Sequence, residues 1–93
     1  MVANPYHPYD VRETPGVCGG YPCIGRTRIP VRMIVELYRD TNDLEQTAAM
    51  FPQLTRRQVE DALAFYRDFP ARVDEDIARN AATLARLQAL QPR

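Results

Sequence analysis

The stretch Gly16-Val-Cys-Gly-Gly-Tyr-Pro-Cys-Ile-Gly-Arg-Thr-Arg-Ile-Pro-Val31 decides the fold of this chain. It holds all four glycines of the sequence, and the residues after it have helical periodicity. The adjacent Gly19 and Gly20 can adopt the positive φ angles of a tight hairpin turn, so we predict a β-ribbon over residues 16–30. A first strand is expected near Tyr9–Arg12. The ribbon should lead directly into a helical domain.

Two arginines of the ribbon suit an anionic partner. Arg26 and Arg28 are two positions apart, so they project from the same face of an extended strand. One interpretation is contact with a phosphate backbone or an acidic protein. The other is that both side chains are solvated or paired with local carboxylates.

The two cysteines, Cys18 and Cys23, flank the predicted turn. A disulfide between them is geometrically conceivable, but a reducing compartment favours two free thiols packed on the ribbon as small apolar side chains. A zinc site would need four ligands, and His7 is the one further candidate. We therefore expect no metal site.

Length and composition exclude several classes of protein. The 93 residues suffice for one domain with a single modest core. No apolar run approaches about 18 residues, so we expect no transmembrane helix and no membrane partner. The N-terminus lacks a basic region followed by an apolar stretch, which predicts a cytoplasmic protein. The net charge is zero, which argues against long-range steering toward nucleic acid but allows a local basic patch.

Periodicity predicts two helices directly after the ribbon. The first carries Pro30 in its first turn and ends near Thr41. Asn42 should cap the second, with Glu45 as its capping-box partner, and this helix should stop before Pro52. The apolar stripes of the two helices are Val31, Ile34, Val35 and Tyr38 in the first, and Leu44, Ala48 and Phe51 in the second.

The third predicted helix has the clearest start signal of the chain. Thr55 and Gln58 form a capping box, and Leu54 and Val59 occupy the positions of a hydrophobic staple. The buried stripe is expected to be Val59, Ala62, Leu63 and Tyr66.

A fourth helix is predicted from Pro70 to about Ala89. Its apolar stripe is Val73, Ile77, Ala81, Leu84 and Leu87. We expect the last two turns to extend past the core, where Leu84, Leu87 and Leu90 would need a partner. The alternative is that this helix folds back and completes the core. The predicted organisation is an extended arm at 1–15, a ribbon and helical domain at 16–77, and a helical extension at 78–93.

Few residues could support catalysis. The chain has one histidine, no serine and no lysine. The carboxylates of Asp74, Glu75 and Asp76 are consecutive on a predicted helix, so they point in different directions and cannot converge on one metal ion. We expect no catalytic residues and no cofactor, and we predict that the protein is not an enzyme.

Helix two, the turn Pro52–Thr55 and helix three have the spacing of a helix-turn-helix. In that motif the second helix enters the major groove of DNA, and here its N-terminus carries Arg56 and Arg57. The predicted DNA-binding residues are Arg56 and Arg57, together with Arg28 of the ribbon. Glu60 and Asp61 would be repelled by DNA, and short helix pairs also occur as plain packing units.

Several motifs resemble a bacterial family catalogued as domain of unknown function 433 and described as antitoxin-like. They are Gly19-Gly-Tyr-Pro-Cys-Ile24, Thr27-Arg-Ile-Pro-Val31, Phe51-Pro-Gln-Leu-Thr55, Gln58-Val59 and Ala62-Leu63. The resemblance covers about residues 11–75. It departs from the family pattern at Gly25-Arg26, where the family has Arg-Gly.

The resemblance implies a mainly α fold, with a short N-terminal β-ribbon followed by a three- to four-helix homeodomain-like helix-turn-helix bundle. It also implies a VapB-type antitoxin of a type II toxin–antitoxin system, which neutralises a PIN-like ribonuclease toxin and binds operator DNA. Alternatives are a stand-alone DNA-binding transcriptional regulator and a non-catalytic protein-interaction module.

An antitoxin of this type needs a second surface for its toxin, and the helical extension is the candidate. Its predicted partner-binding residues are Ile77, Leu84, Arg86, Leu87 and Leu90. Arg79, Arg86 and Arg93 lie seven apart, and an arginine inserted into the acidic magnesium pocket of a PIN-type nuclease could displace the metal. The alternative is ordinary solvent-facing charge. We further expect a homodimer, because a helix-turn-helix protein of this size commonly reads two half-sites.

Overall fold

The computed structural model describes residues 9–90, in which a short antiparallel sheet is followed by four α-helices. The predicted mainly helical fold with an N-terminal ribbon is confirmed at this level. Residues 1–8 of the predicted arm, with His7, and residues 91–93, with Arg93, lie outside the described part. The elements are β1 (Val11–Arg12), β2 (Cys23–Ile24), α1 (Val31–Thr41), α2 (Leu44–Ala49), α3 (Arg56–Asp68) and α4 (Pro70–Leu90).

The ribbon is built differently from the predicted tight hairpin. β1 pairs with β2 so that Val11 lies opposite Ile24, and the long connection between them contains a 3₁₀ turn at Cys18–Gly20. Gly19 and Gly20 do adopt positive φ, at 66° and 83°, but inside this turn. The first strand lies where the sequence predicts it, near Tyr9–Arg12, and Val11 is buried in the core. The prediction of a tight hairpin turn at Gly19 and Gly20 is wrong, because both glycines belong to the 3₁₀ turn of the longer connection.

The two ribbon arginines also lie elsewhere than predicted. Arg26 and Arg28 are both exposed, and they belong to a turn after β2 rather than to an extended strand. Gly25 enters this turn with φ of 52°. The Thr27 hydroxyl donates to the Ile24 carbonyl at 2.6 Å and accepts from the backbone amide of the residue two positions later at 3.0 Å. The threonine therefore closes a turn whose two sides are joined by an antiparallel bridge between Cys23 and Pro30.

The two cysteines are joined in a disulfide, with their Cα atoms 6.7 Å apart. The prediction of two free thiols is wrong. The 3₁₀ turn carries Cys18 back toward the start of β2, where Cys23 is buried. The turn thus brings the two side chains together, and the disulfide that their spacing allows is formed.

The core lies where α1 packs against the other three helices. α1 buries Val31, Ile34 and Val35 as predicted. On α3 the buried face includes Phe65, which the predicted stripe omitted, whereas Leu63 and Tyr66 are half-buried at its edge. The buried apolar cluster comprises Val11, Ile24, Val31, Ile34, Val35, Phe51, Leu54, Val59, Ala62, Phe65 and Val73.

The helix caps are partly as predicted. The capping box of Thr55 and Gln58 at the start of α3 is confirmed, with both reciprocal hydrogen bonds present. At α2 the cap is Asp43, whose carboxylate accepts from the Gln46 amide at 3.1 Å, so the prediction of Asn42 is wrong by one residue. Asn42 instead ends α1 in the left-handed conformation, at φ 51°, which asparagine tolerates better than most residues.

The final helix, α4, has two different halves. Val73 is buried and Ile77 is half-buried against the core, but residues 81–90 are all exposed. The expectation that the last turns extend past the core is confirmed, and the alternative of a helix that completes the core is wrong for these residues. No helix within residues 9–90 is long and apolar enough to cross a membrane.

Candidate functional site

The first candidate surface is the start of α3, where Arg56 and Arg57 occupy the first two helical positions. The Thr55 side chain caps this end, so both arginines follow immediately after the cap. Their side chains are 55% and 76% exposed. Exposed cations beside a helix N-terminus, where backbone amides point outward, are suitably placed to contact a phosphate.

Both arginines are paired with carboxylates in this structure. Arg56 bridges Glu45 of α2 and Glu60 of α3, with its Nε 3.2 Å from Glu60 Oε2. Arg57 Nε lies 3.1 Å from Asp61 Oδ1. These contacts place two cations among three carboxylates, which leaves the cluster with a formal charge of minus one. A phosphate approaching α3 would have to open these ion pairs.

The ribbon docks onto the same end of α3. Gln58 Nε2 donates to Asp10 Oδ2 at 2.9 Å, and the Asp10 amide donates to Asp61 Oδ2 at 3.2 Å. The Gly25 amide donates to the Asp10 carbonyl at 2.8 Å, and a Cβ at Gly25 would lie 2.9 Å from the Asp10 carboxylate. The positive φ favours glycine at this approach of the ribbon to α3, and a side chain there would displace the Asp10 carboxylate.

Arg28 belongs to a different surface from Arg56 and Arg57. It lines a groove with residues of α1 and α4, whereas the other two arginines contact α2 and α3. The groove has a volume of about 320 Å³ and is lined by Cys18, Arg28, Pro30, Arg32, Met33, Asp76 and Arg79. Within residues 9–90 the Arg28 guanidinium forms no ion pair. The predicted DNA-binding set is thus divided between two surfaces.

Asp76 is the buried centre of this groove. It is 1% exposed, and its two carboxylate oxygens face different helices. Arg32 Nε of α1 lies 3.5 Å from Oδ2, and Arg79 Nη2 of α4 donates to Oδ1 at 3.1 Å. From the sequence, Asp76 is one of three consecutive carboxylates with no predicted partner. The missing signal was tertiary, because periodicity does not reveal that a charge will be buried opposite an arginine of another helix.

The three consecutive carboxylates of α4 each bind a different partner. Asp74 accepts from the Tyr66 hydroxyl at 2.8 Å, and Glu75 accepts from the Tyr21 hydroxyl at 3.0 Å. The hydrogen bond to Asp74 is the largest cause that raises the pKa of Tyr66 above its ordinary value of 10.0. Among residues 9–90 no group of carboxylate, histidine or cysteine side chains could hold a metal ion.

Arg79 is a structural side chain rather than a free one. Besides Asp76 it contacts the Tyr21 ring, with its guanidinium carbon 4.8 Å from the ring centre, and Arg72 lies 4.2 Å from the same centre. A Cβ at Gly19 would approach Arg79 Nη2 to 3.0 Å. Of the three arginines spaced seven apart, Arg79 is thus held by the fold, Arg86 is exposed, and Arg93 is not described.

The exposed second half of α4 is the third candidate surface. Leu84 and Leu87 are each 51% exposed and Leu90 is 75% exposed. Their spacing of three residues places them along one side of the helix, and Arg86 borders Leu90 one turn away. The predicted partner-binding residue Ile77 lies apart from them, because it packs against the core.

Comparison with known proteins gives one family. The model of a family described as "Protein of unknown function (DUF433)" matches residues 11–66. The crystal structure at 2.00 Å resolution of a DUF433 member protein from Anabaena variabilis ATCC 29413 is similar, with 34% sequence identity and a TM-score of 0.68. The similarity covers 76% of this chain and 70% of that one. No protein of curated function matches.

The segment matched by the family model corresponds to a defined set of elements in the fold. It begins at Val11 in β1 and ends at Tyr66 near the end of α3, so it contains the ribbon and the first three helices. α4 lies outside it, and with α4 lie Asp76 and the exposed leucines. The groove therefore joins residues inside the family segment, Arg28 and Arg32, to residues beyond it.

Proposed function

The chain belongs to the DUF433 family of proteins of unknown function, and we propose that it is a cytoplasmic, non-catalytic antitoxin that binds a PIN-like ribonuclease toxin through α4. The observation that carries the proposal is the second half of that helix. Residues 81–90 are exposed in a chain of this size, yet they include three leucines along one side. Contiguous exposed apolar surface on an amphipathic helix typically marks a protein partner that supplies a groove.

Charge identifies the kind of partner. After Asp76 the sequence has no acidic side chain, but it has Arg79, Arg86 and Arg93. The exposed end of α4 is therefore apolar and positive, although the whole chain is neutral. A PIN-like nuclease holds its magnesium in a carboxylate pocket, which is complementary to such a helix. Because the fold holds Arg79, Arg86 is the described arginine that can enter the pocket.

The second part of the proposal is contact with operator DNA through α2 and α3 as a helix-turn-helix, with the chain as a homodimer. Arg57 supports this part, since its side chain is 76% exposed at the start of α3. A dimer would present two such helix ends to two half-sites. Arg28 lines the groove instead, so we assign the principal DNA contacts to Arg56 and Arg57.

One observation favours a second candidate function, a protein-interaction module that binds no DNA. Arg56 and Arg57 already have three carboxylate neighbours, Glu45, Glu60 and Asp61. Carboxylates repel a DNA phosphate, which lowers the affinity of the surface for DNA and slows association. If the ion pairs stay closed, α3 has no excess positive charge to offer, and α4 would be the one binding surface of this protein.

Co-expression with the product of the adjacent open reading frame tests the toxin-binding role. We expect the two proteins to co-purify and the nuclease activity of the partner to be suppressed. Leu87→Asp should abolish co-purification, because it buries a charge in an apolar contact. The matched control is Ala82→Asp, which adds the same charge on another side of the exposed half of α4. Equal behaviour of the two variants, or a neighbour that is not a nuclease, would contradict the proposal.

A further inference from the structure

We propose that the disulfide between Cys18 and Cys23 is a redox switch, in which a dithiol attacks Cys18 and reduction releases the 3₁₀ turn from α4. The disulfide lies in the ribbon, whereas the surfaces assigned to DNA and to the toxin lie on α3 and on the exposed end of α4. The switch is therefore a property of the isolated chain and does not depend on the antitoxin role.

The two sulfur atoms differ in their access to solvent. Cys23 is 3% exposed, but Cys18 is half-buried and lines the groove of about 320 Å³. Thiol–disulfide exchange begins when a thiolate reaches one of the two sulfur atoms, so access decides which sulfur is attacked. Cys18 is the point of attack, and Cys23 is the protected partner.

Reduction by a dithiol has two steps. In the first, a thiolate of the reductant attacks Cys18 Sγ, the bond between the two cysteines breaks, and its electron pair goes to Cys23 Sγ, which takes up a proton. In the second, the other thiol of the reductant attacks the mixed disulfide and releases Cys18, which is also protonated. The reductant becomes a disulfide. The Arg28 carbonyl oxygen lies 3.4 Å from Cys18 Sγ, so the free thiol has an acceptor nearby.

The disulfide holds an uncommon backbone conformation. Cys18, Gly19 and Gly20 have consecutive positive φ angles of 52°, 66° and 83°. Glycine adopts such angles readily, but a residue with a side chain rarely does, so Cys18 is the costly member of the three. The turn is also closed by backbone hydrogen bonds, from Gly20 to Val17 at 2.9 Å and from Tyr21 to Cys18 at 3.1 Å. Reduction leaves these hydrogen bonds to hold Cys18 without the covalent tie.

The turn and the tyrosine that follows it pack against α4. The guanidinium carbons of Arg72 and Arg79 lie 4.2 and 4.8 Å from the centre of the Tyr21 ring. The Tyr21 hydroxyl donates to Glu75 at 3.0 Å, and Arg72 donates to the Gly20 carbonyl at 3.2 Å. One side of α4 thus depends on the position of the turn, and these contacts loosen when the turn moves.

The core does not require the disulfide. The cysteines are five positions apart, and a loop this short restricts the unfolded chain less than a long one does. The first half of α4 is held independently by the burial of Val73 and Asp76. Reduction should therefore change the turn and its side of α4 while the core stays folded, as a reversible switch requires.

Limited digestion of the full chain with trypsin, which cleaves after arginine, tests the switch. The oxidised chain is compared with the chain reduced by dithiothreitol. We expect cleavage after Arg79 to be at least about threefold faster in the reduced chain, which corresponds to the loss of one cation–π contact. Cleavage after the exposed Arg86, two turns farther along α4, is the internal control and should be unchanged. Equal rates after Arg79 in the two states, or comparable acceleration at both sites, would overturn the proposal.

Thiol titration and circular dichroism establish the two states. The oxidised chain should have no free thiol, and the reduced chain should have two and keep its helical spectrum. The disulfide should form again when dithiothreitol is replaced by its oxidised form. A chain that never forms the disulfide, or that unfolds when it is reduced, would contradict a reversible switch.

Variants connect the sulfur chemistry to α4. The double variant Cys18→Ser, Cys23→Ala should be cleaved after Arg79 at the rate of the reduced chain, with or without dithiothreitol. Tyr21→Leu keeps the disulfide but removes the ring, so it should raise the rate in the oxidised chain and remove the redox difference. Tyr21→Phe is the matched control, because it keeps the ring and should keep the difference. A response of the double variant to dithiothreitol, or a full redox difference in Tyr21→Leu, would reject the mechanism.

Discussion

Arg32 Nε in α1 lies 3.5 Å from Oδ2 of Asp76 in α4, and that carboxylate is almost completely buried. This pair ties the segment matched by the family model to the helix beyond it. A buried carboxylate that loses its charge leaves its arginine partner uncompensated, which is strongly destabilising. The first half of α4 is therefore anchored by an ion pair as well as by the apolar contacts of Val73.

The pair yields a stability prediction. Asp76→Asn, which keeps the shape of the side chain, should lower the free energy of unfolding by about 3 kcal/mol, because Arg32 and Arg79 both lose their buried counter-charge. Within residues 9–90, Arg32 then keeps only its ion pair with the more exposed Glu36. Asp74→Asn is the matched control, since its side chain is 53% exposed and its ion pair with Arg39 is solvated. We expect less than about 1 kcal/mol there. Urea unfolding measures both, and similar losses would show that Asp76 is not a buried counter-ion.

The apolar core and the exposed half of α4 should respond differently to the same substitution type. Ile34→Ala removes a fully buried side chain and should cost about 2–5 kcal/mol. Leu87→Ala removes a side chain that is half exposed and outside the core, so we expect less than about 0.5 kcal/mol. Chemical denaturation of both variants is the check. A large loss for Leu87→Ala would mean that this leucine is buried in solution, as in a dimer.

Much of the helical part could be predicted from the sequence because its signals are local. The capping box of Thr55 and Gln58, and the stripe of α1, depend on residues within one or two turns. The first strand of the ribbon could be placed near Tyr9–Arg12, but its connection to β2 could not be predicted, since that connection contains a 3₁₀ turn and a disulfide. Asn42 and Asp43 are both good caps, and the αL conformation at the end of α1 decides between them.

The same distinction between local signals and tertiary contacts applies to the candidate surfaces. The exposure of Leu84, Leu87 and Leu90 could be predicted because a helix of that length is longer than the core it follows. The groove could not be predicted, because it joins Arg28, Arg32 and Asp76 from separate elements. The ion pairs of Arg56 with Glu60 and of Arg57 with Asp61 could be predicted, because helical spacing places each pair one turn apart.

Truncation distinguishes the two halves of α4. A chain that ends after Asn80 should remain folded, with a thermal midpoint within a few degrees of the full chain, because the lost part contains the exposed residues 81–90. It should fail to co-purify with the partner. Circular dichroism and co-purification provide the two measurements. Global unfolding of the shortened chain would show that the end of α4 belongs to the core, and full partner binding would remove its proposed role.

Tyr66 gives a prediction about pH. The hydrogen bond to Asp74 raises the pKa of Tyr66 above its usual value, so the folded state holds this proton more tightly than the unfolded chain does. The associated stabilisation is fully present below about pH 10 and is lost as the pH rises through the folded-state pKa. Asp74→Ala should lower the pKa of Tyr66, because the nearby Arg39 then acts alone. Absorbance of tyrosinate during alkaline titration measures this shift, and an unchanged titration would reject the assignment.

Homodimer formation has a direct test in light scattering. At micromolar concentration we expect twice the chain mass of 10.7 kDa. The expectation follows from the two half-sites that a helix-turn-helix protein reads. A mass of one chain over a wide concentration range would contradict the homodimer. It would leave toxin binding by α4 to be judged by the Leu87→Asp and Ala82→Asp comparison.

The DNA-binding part of the proposed function depends on whether the ion pairs of α3 can open. The double variant Arg56→Ala, Arg57→Ala should weaken binding to the protein's own promoter and to unrelated DNA sequences alike. The slope of the logarithm of the binding constant against the logarithm of the salt concentration should fall by about one per lost phosphate contact. Arg26→Ala with Arg86→Ala is the control, because it removes two exposed arginines that do not belong to α3. Fluorescence anisotropy across a salt series measures the slope. If the arginines only neutralise Glu45, Glu60 and Asp61, the α3 variant and the control will have the same slope, and the interaction-module function is then preferred over operator binding.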